Sequence, residues 1–192
     1  MRVTRLRAAY QATIATLATD HLVFLDESGV NLGMTRRYAR APKGQRAYAA
    51  APINYGENIT LLSAVGLRGI LTTLALDGAM DGQVFRAFVE QFLAPELRPG
   101  DVVIMDNLAS HYVDGVRQAI EAVGAQLIYL PPYSPDLSPI ELCWSKVKAY
   151  IKAQAARTRE RLEKALIEAL DRVSASDLAG WFKHCGYCTS SS

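Results

Sequence analysis

The chain predicts an α/β fold: a five-stranded mixed sheet, three antiparallel strands and then two parallel ones, flanked by helices. Two observations carry this. Strand-like runs at 21–26, 58–65 and 70–76 come in close succession without a helical pattern between the last two, which suits an antiparallel meander. From residue 81 onward, segments of helical period alternate with short strand-length runs, which suits parallel strands covered by helices.

Taken in order, residues 1–20 place Tyr10, Ile14 and Leu17 at the spacing of one helix face, so they read as a short helix or as the remnant of an N-terminal connection. His21 to Asp26 reads as the first strand. A hairpin arm at Arg46 to Ala51 and a turn at Asn54 to Gly56 lead into a strand at Asn58 to Val65. The turn Leu67-Arg68-Gly69 then gives a third strand, Ile70 to Leu76. Asp81 is placed to cap a helix running to about Leu93, with Val84, Phe85, Phe88, Val89 and Phe92 on one face. Asp101 to Asp106 reads as a strand, Ser110 to Val123 as a helix, Ala125 to Leu130 as a strand and Pro139 to about Ala155 as a helix. Helices at Arg159 to Val173 and Ser176 to His184 complete the chain. Between the last strand and the helix at Pro139, residues 131–139 hold four prolines and form neither helix nor central strand. They read as a stiff connector that aims the next helix at the ends of the first and fourth strands. The expected division is 1–20 as the N-terminal connection, 21–156 as the core, and 157–192 as helices that pack on or extend it.

Half of the 192 residues are hydrophobic, enough for one good core and too few for two full domains. No run approaches the roughly 20 apolar residues that cross a bilayer, so a soluble protein without a membrane partner is expected, in the cytoplasm. The basic start imitates a signal peptide, but Gln11, Thr13 and Thr16 interrupt its apolar centre. Three cysteines, Cys143, Cys185 and Cys188, do not describe a disulfide framework. Cys185-Gly186-Tyr187-Cys188 beside His184 lacks the second pair that a structural zinc would need.

A net charge of +2 does not announce a nucleic-acid binder, but its distribution is uneven. Arg36, Arg37, Arg40, Lys43 and Arg46 fall in one stretch without an acid, whereas residues 101–150 carry six acids against three bases. An acidic pocket with a basic flank suits metal-dependent DNA chemistry, carboxylates for the ions and cations for the phosphates. The plainer reading of the basic stretch is a solvated hairpin.

The acids have a pattern of their own. Leu22 to Leu25 and Val102 to Met105 each run into an aspartate, Asp26 and Asp106, and Glu141 follows in Ser138-Pro139-Ile140-Glu141. An aspartate that ends a buried strand emerges where a cation can meet it. Three carboxylates from three distant segments suit hard Mg2+ or Mn2+, which activate a nucleophile and stabilise a leaving oxygen in phosphoryl transfer. A phosphodiester substrate is therefore expected. Each acid also has a local role to set against this: Asp26 as a turn starter, Asp106 as a helix cap, and Glu141 as the return partner of Ser138 in a capping box with Pro139 at the first helical position.

The mixed sheet with acids on the first strand, the fourth strand and a late helix resembles the ribonuclease H-like fold. Leu25-Asp26-Glu27-Ser28-Gly29, Met105-Asp106-Asn107 with His111, and the run from Leu130-Pro131-Pro132-Tyr133-Ser134-Pro135 to Glu141 with Trp144 and Lys148 narrow it further. They resemble the DDE catalytic domain of mariner-type insertion-sequence transposases, and Trp181 to Tyr187 is similar to that family's C-terminal stretch. The resemblance spans about residues 20–188. It implies that Asp26, Asp106 and Glu141 are catalytic and hold two Mg2+ ions, Mn2+ being a substitute, about 3.5–4 Å apart. It implies strand cleavage at transposon ends by water and then attack of the freed 3′-hydroxyl on target DNA, often at a TA step, which kinks easily.

Asn107 and His111 match the family pattern after the second aspartate, for orienting a ligand or contacting the DNA backbone; for a histidine one turn into a helix, a structural role is the rival. Arg36, Arg37, Arg40, Lys43, Arg46 and Lys148 are the remaining DNA-contact candidates. The implied partners are double-stranded DNA at transposon ends and target, a second copy of the chain in a homodimer, and an N-terminal helix-turn-helix part, separately encoded or joined by frameshifting. The implied setting is the bacterial cytoplasm, at the nucleoid. Ser138 stands where many relatives have Asn and remains a good helix N-cap. With only about 20 residues before the first strand, the alternative function is a truncated remnant that binds DNA or full-length transposase and regulates it. Trp144 reads as a packing anchor in preference to a base-stacking platform.

Overall fold

Leu22, Val23, Phe24 and Leu25 are all buried, because the strand they open is covered on both faces. The computed structural model describes residues 2–36, 38–48, 55–56, 58–107 and 113–187. Strand β1 is Leu22–Val30, β2 Ile59–Gly66, β3 Gly69–Asp77, β4 Val102–Met105 and β5 Gln126–Tyr129. The sheet order is β3-β2-β1-β4-β5. β1 and β3 run antiparallel to β2, whereas β1–β4 and β4–β5 are parallel, which is the mixed sheet that the sequence predicts.

The helices are α1 (Arg2–Ile14), α2 (Gly82–Phe88), α3 (Val116–Ala122), α4 (Pro139–Gln154), α5 (Arg159–Asp171) and α6 (Ala175–His184). Strand alternation sorts the core into two clusters. Leu22, Phe24, Val102 and Ile104 face α4, α5 and α6, with Tyr10 and Ile14 of α1 in the same cluster. Val23, Leu25, Val103 and Met105 face α2 and α3. Phe182 of α6 meets Phe24 edge-on at 5.4 Å between ring centroids, in the geometry that aromatic quadrupoles favour.

Several boundaries depart from expectation for local physical reasons. β1 does not stop at Asp26: its antiparallel ladder with β2 continues from Asp26↔Ser63 to Val30↔Ile59, whereas its parallel ladder with β4 ends at Leu25↔Met105. Asp26 therefore lies mid-strand, at the point where one neighbour has gone. Asp81 does cap α2, its Oδ1 accepting from the backbone N–H of Gln83 and Val84 at 2.9 Å each. The helix then widens into a π turn over Val89–Leu93, which rotates the residues that follow. Leu93 is buried in consequence, and Phe92, expected on the core face, is 44% exposed.

The regular part of α3 begins at Val116, after Gly115 in a left-handed conformation (φ 95°). That positive φ favours glycine, and a side chain there would also have to displace the Arg86 guanidinium, whose carbon would lie 2.7 Å from an added Cβ. Ser110, the expected start, lies outside the described residues. Residues 38–48 contain no strand, so the expected hairpin arm is absent from its described part, and Ala49 to Asn54 lie outside. Among the described residues, no helix is long and apolar enough to cross a membrane.

Candidate metal-binding active site

Asp26 has the strand parity of Leu22 and Phe24, so it points to the α4 face, and the same alternation carried one residue past β4 brings Asp106 there. Glu141 lies in the first turn of α4. The three carboxylates line one cavity of about 340 Å³, together with Asn107 and the connector residues Pro131 to Pro135. The capping-box role of Glu141 is not realised. Ser138 occupies the N-cap position without a side-chain cap bond, and its own N–H donates to the Pro135 carbonyl at 3.0 Å. The Glu141 side chain is exposed at the cavity rim.

Asp26 is strongly perturbed electrostatically. Burial pushes its carboxyl up to about 7, the carboxylates of Glu141 and Asp106 push the same way, and the Glu27 N–H and Trp144 indole N–H only partly offset them. Among the described residues no three acid, histidine or cysteine side chains already converge as ligands on one point. The three carboxylates line the cavity without meeting at one point. The donor set is nonetheless all oxygen, and three carboxylates around one cavity fit a hard divalent ion.

The acid excess in 101–150 is not one patch. Asp101, at the far end of β4, is fully buried with Arg68 against both its oxygens at 3.0 and 2.5 Å. Burial alone would raise its carboxyl, but Arg68, the Arg98 N–H and His21 together hold it below the usual carboxylate range. Asp136 pairs with Arg7, and Glu121 with Arg117. The acidic pocket is thus made by Asp26, Asp106 and Glu141 alone among the described acids.

The connector is fixed from both ends of the chain. Arg7 of α1 donates to both Asp136 oxygens, at 2.9 and 2.5 Å, and to Ser134 Oγ at 2.8 Å. The Tyr187 hydroxyl donates to the Leu137 carbonyl at 2.5 Å, so it is Tyr10 that donates to Tyr187 at 2.9 Å in this buried chain. Immediately before the tethered residues, Tyr133 is 92% exposed on the cavity rim, in a left-handed conformation (φ 56°) that is costly for an aromatic residue.

The structure treats the DNA-contact candidates unevenly. Asn107 lines the cavity, while Lys148 follows Glu141 two turns along α4 and is half-buried. Arg36, Arg40, Lys43 and Arg46 are exposed in the segment between β1 and β2, and none lines the cavity. Arg37 and His111 lie outside the described residues, as does Cys188. Cys143 and Cys185 are free and buried, and burial pushes their thiols up to about 12 and about 11.

Sequence reading missed one contact at the site. Trp144, expected as a packing anchor, is 2% exposed, and its indole Nε1 also donates to Asp26 Oδ2 at 3.1 Å. The signal was its position three residues after Glu141, on the same helix face.

A ribonuclease H-like sheet with an acid-lined cavity where β1 and β4 part is an arrangement suited to metal-dependent nuclease chemistry. The chain belongs to the DDE superfamily endonucleases, a family that matches residues 21–163. Similar solved structures include the Mos1 Strand Transfer Complex, with TM-score 0.75 and 19% identity over 96% of this chain and 57% of that one. The mariner Mos1 paired end complex with Mg has TM-score 0.71 and 18% identity over 97% of this chain and 63% of that one. The catalytic domain of Mos1 mariner transposase has TM-score 0.61 and 16% identity over 95% of this chain and 88% of that one. At such identities the likeness carries the fold. The chain spans about three fifths of the length of the Mos1 chain in its pre-cleavage transpososome, which covers 60%. No curated protein matches the chain.

Proposed function

We propose that this chain is a transposase catalytic domain that cuts and joins DNA strands at transposon ends, with Asp26, Asp106 and Glu141 as catalytic residues holding two Mg2+ ions. The observation that carries the reading is that these three carboxylates, from β1, the end of β4 and the start of α4, line one cavity in a DDE-family fold. Bound divalent ions supply an activated attacking oxygen and stabilise the leaving one. The protein's own part is to present oxygen ligands from three elements, to fix the connector that delivers Glu141, and to offer Asn107 beside Asp106 for orienting a ligand or a phosphate. Lys148 and the basic residues Arg36, Arg37, Arg40, Lys43 and Arg46 contact DNA phosphates. In the same reading the protein acts as a homodimer on double-stranded DNA at the bacterial nucleoid, with an N-terminal helix-turn-helix part that recognises the transposon ends.

The test is incubation with pre-nicked transposon-end DNA and Mn2+, followed by electrophoresis of cleaved and joined strands. Products from the wild type and none from Asp106→Ala are expected. Absence of products from the wild type, or equal yields from both, overturns the enzyme and leaves the regulatory remnant. For the basic segment, replacing Arg36, Arg40 and Arg46 with alanine is expected to weaken DNA binding and to flatten the slope of log affinity against log salt by roughly 0.9 for each phosphate no longer neutralised. An unchanged slope in filter binding from 50 to 200 mM salt removes that segment from the interface.

A further inference from the structure

We infer that Trp144 is a positioning residue for the metal site, its indole N–H holding Oδ2 of Asp26 so that the carboxylate is oriented before an ion arrives. The inference rests on the reading that Asp26 is a ligand. An indole is a donor only, and when buried its N–H needs an acceptor. Trp144 is 2% exposed, and its Nε1 reaches Asp26 Oδ2 at 3.1 Å across 118 residues of sequence. Packing alone would be served by any large apolar side chain, as Ile140, Val147 and Ile151 serve it on the same helix. Tryptophan adds one directed proton, and that proton points at the one carboxylate of the site that emerges from mid-strand.

The helical spacing gives this contact its use. Glu141 and Trp144 are three residues apart on α4, so the docking of one helix delivers a carboxylate to the cavity and a donor to another carboxylate already there. Partners that hold a ligating carboxylate in one rotamer strengthen metal binding, and their removal typically weakens it about 10–100-fold. Trp144 does not touch the reacting groups; it acts through Asp26.

The experiment compares wild type and Trp144→Phe, which keeps an aromatic ring and removes the N–H. Mn2+ binding is followed by electron paramagnetic resonance, and cleavage of pre-nicked end DNA is followed against Mn2+ concentration. The expected result is a Kd weaker by about 10–100-fold, with much of the cleavage rate recovered at saturating Mn2+. Equal Kd values in the two proteins overturn the positioning role while leaving the proposed function standing. A wild type that binds no Mn2+, or binds it as tightly after Asp26→Ala, overturns both.

A second measurement needs no variant. In the wild type the Trp144 indole N–H resonance should shift as Mg2+ saturates the site, while Trp181, on α6, serves as the reference. A Trp144 resonance that stays in place while Mg2+ binds also overturns the inference.

Discussion

Asp26→Asn is expected to lose strand cleavage and joining by at least about a thousandfold and yet to melt at a higher temperature than the wild type at pH 8 in EDTA. The loss follows from the proposed ligand role, because a divalent ion contributes several kcal/mol to such a transition state and each 1.4 kcal/mol is tenfold in rate. The gain follows from burial. The folded protein holds the Asp26 carboxyl at about 7 against an ordinary value of 3.8. Between those values the folded state binds more protons than the unfolded one, so stability is fully present below about pH 4 and falls as pH rises through about 7. Asparagine is neutral throughout and keeps an oxygen for the Trp144 N–H. It should recover on the order of 1–3 kcal/mol at pH 8, at roughly 2–4 °C per kcal/mol for a chain of this size, and little at pH 4. Differential scanning calorimetry at the two pH values checks it; equal melting temperatures at pH 8 contradict the buried charge.

The same carboxyl should make metal binding proton-linked. Below pH 7 an arriving ion must displace the Asp26 proton, so the Mn2+ affinity is expected to rise about tenfold per pH unit from 5 to 7 and to level off above. Calorimetric titrations in two buffers of different ionisation enthalpy should show about one proton released per site at pH 6 and almost none at pH 8. The ion should also raise the melting temperature more at pH 8 than at pH 5, since stabilisation follows the ratio of free ion to Kd. An affinity that is flat from pH 5 to 8 contradicts the idea.

Much of the candidate site's layout was legible because its signals are local. Asp26 and Asp106 follow four-residue buried runs, and Glu141 follows a connector whose four prolines exclude regular structure. What escaped reading depends on contacts between distant segments. Asp26 was expected at a strand end, but the end belongs to β4 alone; β1 runs on because β2 still pairs with it. Phe92 and Leu93 exchange places through a π turn that no hydrophobic periodicity announces. The acid-rich stretch looked like one pocket, but Asp101 and Asp136 are consumed by Arg68 and Arg7 from elsewhere in the chain. Trp144 could be placed on the right face of its helix, but its acceptor lies on β1, and only the packing of α4 against the sheet brings them together.

The tethers of the connector bear on what counts as the smallest working unit. Arg7, Tyr10 and Tyr187 all lie outside the span 21–163 that carries the family match, yet between them they grip Ser134, Asp136 and Leu137, the residues that lead into α4. A fragment cut to the matched span would keep Asp26, Asp106 and Glu141 and lose these clasps. The two extremities of the chain thus behave as the halves of a buckle closed around the segment that presents Glu141, and the boundaries of the chemistry are wider than the boundaries of the motif.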